Sequence, residues 1–182
     1  QGVMGIMLVI IFMVNIELHG VTIAFCVVAT FNMNATPVKP FVLSKYLGTW
    51  YEIARIDFRH ERNLENTKAE YNMNYDGEIS VVNSGYNSVT GEYTEAKGKV
   101  KFASDDGSAM MKVSFWGPFY SGYNVIALDD DYQYALVAGD NHKYLWLLSR
   151  EKSIPDIIRS KYLQIAKEAG YDTSKLLWVN HN

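Results

Sequence analysis

The run Tyr46-Leu47-Gly48-Thr49-Trp50-Tyr51-Glu52-Ile53-Ala54-Arg55 places a glycine two residues before a large aromatic and then alternates as a strand does. Far downstream, Arg150 ends a second strand-like run, Tyr144-Leu145-Trp146-Leu147-Leu148-Ser149-Arg150. A guanidinium lying on an indole face makes a cation–π contact of roughly 0.5–2 kcal/mol. Gly48, Trp50 and Arg150 are therefore expected to plug the closed base of a small barrel. The opposite end is left open to an apolar ligand.

Working outward, the chain reads as alternating runs separated by turn residues. Strands are expected over Leu47–Phe58, Thr67–Tyr75, Glu78–Asn87, Glu92–Phe102, Ala109–Trp116, Tyr123–Leu128, Tyr132–Ala138 and Lys143–Arg150. Asp76-Gly77 is a strong hairpin signal. Arg59 to Asn66 reads as a long polar loop, and Phe119 to Gly122 as an aromatic loop after Gly117-Pro118. One helix follows, with Ser153 and Asp156 as a capping-box variant and Pro155 in its first turn. Its apolar face is Ile158, Tyr162, Ile165 and Ala169, and Gly170 stops it. Leu176 to Val179 reads as a short final strand. The fold class is thus all-β: an eight-stranded antiparallel up-and-down barrel, or calyx, with one flanking C-terminal α-helix. Closure removes raw edges and leaves room for one small ligand. A two-layer sandwich is the alternative, disfavoured by the short sequential hairpins.

Residues 1–31 differ from the rest. Val3 to Val14 and Val21 to Phe31 are apolar, interrupted by Asn15, Glu17 and His19. Each run has the length of a signal-peptide core rather than of a bilayer span. This segment is read as a signal or anchor, residues 32–40 as a linker carrying Pro37 and Pro40, and residues 41–182 as the barrel domain.

Composition narrows the partners. The net charge of −3 in 182 residues and a pI near 5.8 argue against a polyanion, so no nucleic acid is expected. Cys26 is the single cysteine, which excludes an intramolecular disulfide and a cysteine-based metal site. No H-E-x-x-H, C-x-x-C or phosphate loop occurs. His60, His142 and His181 fall in expected loops or the tail, and nothing pairs a buried tyrosine with a base. No metal, cofactor or catalytic residue is expected, and a binding protein is the better reading than an enzyme acting on a lipid or isoprenoid.

Gly48 and Trp50, the turn Asp131-Tyr132-Gln133-Tyr134, and Arg150 together resemble the three short regions of the lipocalin family. The segments YLGTWYEIARIDFRHERNLE, KVSFWGPFYSGYNVIALDDDYQYALV, YLWLLSR and EAGYDTSKLLWV strengthen the likeness, which spans Phe41 to Val179 and points to the bacterial outer-membrane branch. The resemblance implies a calyx that binds fatty acids or lysophospholipids in the cell envelope. It also implies export, membrane association through the N-terminus, and a homodimer. Cys26 is the candidate lipid anchor, although Phe25 stands where lipoprotein processing expects a small residue.

Alternation assigns the lumen. Tyr71, Val81, Asn83, Val113, Phe115, Val125, Tyr144 and Trp146 are expected to line the ligand site, with Ala96, Gly98, Ala127 and Ala135 leaving space. Arg55, Arg59, His60 and Arg62 are candidates for a head-group cation near the mouth.

Overall fold

The structure is a computed structural model that describes the backbone of residues 8–18 and 21–31 and the whole of residues 35–182. The chain divides into two compact units, Gln1–Asn34 and Ala35–Asn182. In the first, β1 (Leu8–Leu18) pairs antiparallel with β2 (Val21–Phe31), and Met13 lies opposite Cys26. The backbone of these two strands does not test the signal or anchor role of residues 1–31, and the side chain of Cys26, on which acylation would fall, lies outside what the structure describes.

The second unit runs α1 (Leu43–Tyr46), β3 (Gly48–Ile56), β4 (Leu64–Met73), β5 (Ile79–Asn87), β6 (Glu92–Phe102), β7 (Met110–Trp116), β8 (Phe119–Leu128), β9 (Tyr134–Ala138), β10 (Leu145–Ser149), α2 (Asp156–Glu168) and β11 (Leu176–Trp178). Strands β3 to β10 pair consecutively and antiparallel, and β10 returns to β3. That last pairing closes the barrel and rules out the sandwich. β4 pairs β3 only through Lys68, and β11 takes the vacated side of β3, with Leu176 opposite Ile56.

Two hydrophobic clusters follow from strand alternation. The inner one includes Tyr46, Trp50, Tyr71, Val81, Val125, Val137 and Leu148. The outer one packs Ile53, Ala54, Ile126, Leu136 and Leu147 under Tyr162 and Ala166 of α2 and Ala169 at its C-cap. The expected helical face thus seats on the barrel wall, with Ile158 and Ile165 at its margin.

The base forms as expected. The Arg150 guanidinium carbon lies 3.8 Å from the centroid of the Trp50 ring, and Trp50 is fully buried. Arg150 also donates to the carbonyls of Thr49 at 2.7 Å, Lys45 at 2.8 Å, Leu47 at 3.0 Å, Tyr46 at 3.1 Å and Tyr132 at 3.2 Å. The indole donates to the Tyr46 carbonyl at 2.8 Å. Gly48 has φ +94° and its missing Cβ would sit 3.5 Å from the guanidinium. A left-handed backbone there suits glycine alone.

Several expectations are corrected. Phe119 to Gly122 is not a loop: Gly117 at φ +55° and Pro118 turn the chain so tightly that β8 starts at Phe119. Ser153 does not cap α2; Pro155 is the N-cap and has no side chain to do so, while the Ser153 carbonyl accepts from Ser149. Ala127 faces outward, because the β8–β9 register slips between Val125 and Ala127. Within the stretch read as a linker, Val38 belongs to the floor, donating to Val125 and accepting from Ala109. Trp50→Ala should remove about 3–5 kcal/mol of stability through the cavity and the lost guanidinium contact, measured by urea denaturation.

Candidate functional site

The lumen has a sealed floor and an accessible upper half. Up-and-down connectivity puts Trp50 and the β4–β5, β6–β7 and β8–β9 turns at the base. The β3–β4 loop and the Gly117-Pro118 turn therefore stand at the rim. On the floor, the hydroxyls of Tyr46 and Tyr71 each lie 2.7 Å from that of Tyr123. Burial raises the pKa of all three phenols, so they stay protonated. Such a chain satisfies polar groups that would otherwise be stranded in an apolar interior.

The eight residues assigned to the ligand site fall into three levels. Tyr71, Val81 and Val125 are buried in the floor. Val113, Phe115 and Trp146 pack against the same inner cluster yet remain partly exposed, as does Asn83, so the lumen opens at their height. An inward Cβ at position 98 would lie 2.9 Å from the Phe115 ring, so Gly98 gives that ring its place. Tyr144 sits at the rim, stacked on Trp146 at 6.2 Å and 15°. Ala96 is exposed at the mouth.

A polar cluster lies above the floor that sequence reasoning missed. Arg55, one of the candidate head-group cations, is instead wholly buried and spent on protein partners. It pairs with Glu52 at 2.8 Å and approaches Asp57 at 3.6 Å and Glu61 at 3.8 Å. It also donates to the Glu61 carbonyl at 2.6 Å. The cause is a β-bulge: Leu147 pairs with Ala54 but Leu148 with Glu52, so Ile53 is an extra residue and Arg55 turns inward. Arg59 and His60 remain exposed on the loop, and exposed Arg62 meets Asp57 at 3.5 Å.

That loop covers part of the mouth. Phe58 packs edge-on against Tyr144 at 5.4 Å and Trp146 at 5.8 Å. The Trp146 indole donates to the Glu61 carboxylate at 3.1 Å. Burial, then the nearby Glu52, push the Glu61 carboxyl well above the usual range. Buried side-chain oxygens of Asp57, Thr67, Asn83 and Ser84 have no hydrogen-bond partner. Two open grooves lie outside the lumen at the closed end. One of about 390 Å³ is lined by Asp76 to Ile79, Lys99 to Phe102 and Tyr120. The other, of about 500 Å³, is lined by Phe41, Gly107 and residues 102–105. Among the described residues no three His, Cys, Asp or Glu side chains converge as a metal site.

A closed antiparallel calyx, sealed by an arginine on a tryptophan and open above, defines a class of lumen-bearing barrels. The chain belongs to the lipocalin family: residues 41–181 match the model of a lipocalin-like domain. It is 48% identical over 162 residues to the outer membrane lipoprotein Blc of Escherichia coli K12, covering 87% of this chain and 92% of that protein. Temperature-induced lipocalin-1 of Arabidopsis thaliana is 34% identical over 148 residues, covering 76% and 78% respectively. Insecticyanin from the tobacco hornworm Manduca sexta shares the fold, with a TM-score of 0.68 at 24% identity over 81% of this chain and 84% of that one.

A raised acid destabilises the fold once ionised. Glu61 therefore contributes most below the unfolded carboxyl pKa of about 4.3, and that contribution is lost as pH rises through its folded value. Glu61→Gln should raise the melting temperature at neutral pH, and the gain should vanish on acidification toward pH 4, read by thermal melts across pH.

Proposed function

We propose that this protein binds a single-chain lipid, a fatty acid or lysophospholipid, in the lumen and carries or stores it in the bacterial cell envelope. The observation that carries this reading is the graded lumen: inward side chains are sealed at the floor and partly exposed from Val113 upward. An acyl chain enters beside Phe115 and Trp146, gaining about 25 cal/mol for each Å² of apolar surface buried. Its head group stays at the rim, where Arg59 is exposed and its guanidinium suits a carboxylate or phosphate. The Phe58–Glu61 segment moves aside to admit it.

Membership in the lipocalin family supports a hydrophobic ligand. The name of the Escherichia coli relative supports the envelope, with residues 1–31 directing export or anchoring. Catalysis is not part of this reading: the tyrosine hydroxyls satisfy one another, and the inner carboxyl groups of Glu52 and Glu61 are engaged with Arg55 and Trp146.

Displacement of a fluorescent fatty acid tests the site. Trp146→Ala should weaken binding by about 2 kcal/mol, roughly thirtyfold, with the fold intact, and Trp146→Phe should restore most of it. Equal affinity of wild type and Trp146→Ala removes Trp146 from the site.

A further inference from the structure

The lumen is shallow. On β8, Tyr123 belongs to the floor cluster and Phe119 begins the strand four residues earlier, about 13 Å of strand rise. The step from Leu148 in the floor cluster to Tyr144 at the rim has the same length in sequence. A decanoyl chain about matches that height, and an oleoyl chain overruns it.

A β-bulge decides what the overrunning part meets. Val113 pairs with Ser121 and Trp116 with Phe119, so β7 holds one residue more than β8 between those pairs. Phe115 packs on the inner cluster, and the extra residue turns Trp116 to that same side of the sheet. Phe119 reaches it by plain alternation from Val125, Tyr123 and Ser121. Both rings thus stand above the lumen wall, on the face away from Tyr120, Lys101 and Lys112. They are 79% and 80% exposed. We propose that Trp116 and Phe119 form an upper step of the ligand site and grip the head-proximal methylenes of a long acyl chain where it leaves the barrel. The step rests on the lumen-binding reading above and gives it a preference for long chains.

Continuity with the lumen favours that occupant. Phe115 is partly exposed in the open half, so a chain rising past it meets Trp116 next. The tip is also held in place. Gly117 at φ +55° and Pro118 make the turn, and Ser114 donates to the Gly117 carbonyl at 3.0 Å. A fixed aromatic pair binds without the ordering cost of a mobile loop. The upper connections follow strand order around the closed sheet, which sets the β7–β8 tip across the mouth from the β3–β4 loop. That loop leans onto β10 through Phe58, against Tyr144 and Trp146. The chain's passage therefore runs between the loop that carries Arg59 and the aromatic tip.

Titration calorimetry of the full chain with decanoate and with oleate tests the step. Trp116→Ala and Phe119→Ala should each weaken oleate about tenfold, the worth of roughly 60 Å² of apolar contact, and leave decanoate unchanged. The emission of Trp116, taken as the difference between wild type and Trp116→Phe, should move to the blue with oleate and stay in place with decanoate. Equal loss for both acids overturns the step, as does no loss for oleate. A loss confined to protein concentrations at which sedimentation shows a dimer also overturns it, assigning the rings to a second copy of the chain. A blue shift of Trp116 on phosphatidylcholine vesicles that oleate does not reproduce overturns it in favour of a bilayer. Decanoate bound by wild type upholds the lumen whichever way the step falls, whereas no binding of decanoate refutes the lumen and the step together.

Discussion

One guanidinium ties the base of this barrel together. Arg150 lies on the Trp50 ring and donates to carbonyls from the end of α1, the start of β3 and the β8–β9 turn. The carbonyls of Lys45, Tyr46 and Leu47 are the kind that a helix end leaves without partners. A planar cation with several fixed donors meets that need better than an ammonium would. The same contacts hold the indole against Tyr46, whose ring lies 4.8 Å from it. Closure of the sheet by β10 on β3 and closure of the floor thus meet at one residue.

That seal makes the lumen one-ended. Below, Tyr46, Tyr71 and Tyr123 satisfy one another's hydroxyls, so none of the three is stranded in the apolar floor. Above, inward residues are partly exposed. Between the two lies Arg55 with Glu52, Glu61 and Asp57. Removing the guanidinium would leave uncompensated buried carboxyl groups, which is far worse than never burying them. The cluster also ties the β3–β4 loop to the wall, through the Glu61 carbonyl and through the carboxylate that Trp146 meets. The mouth is therefore shaped by electrostatics as much as by packing.

Most of the architecture was legible in the sequence because period-two alternation and turn dipeptides such as Asp76-Gly77 are local signals. The Trp50–Arg150 pair was legible through family likeness as well as chemistry. What escaped was set by β-bulges. The extra residue at Ile53 turns Arg55 inward, and the slip at Ile126 turns Ala127 outward, since a one-residue shift flips every later side chain. No composition signal marks either bulge. The assignment of Tyr71, Val81 and Val125 to the inner face agrees with the structure, but their depth in the floor depends on which side chains cross the barrel. Strand parity carries no such information. The Glu61–Trp146 bond joins residues far apart in sequence, and neither residue type announces it.

The two faces of β6 and β7 carry opposite chemistries with little interference. Val100 and Val113 face each other inside the barrel, while the next pair, Lys101 and Lys112, meets outside. An apolar interior fixes the register, because slipping by one residue would bury both lysines and expose both valines. The inward packing can then hold an outward arrangement that is locally unfavourable. Charge on the outer wall and shape in the inner one are thereby open to independent change. A substitution such as Lys112→Glu alters what the wall meets without altering what the cup holds.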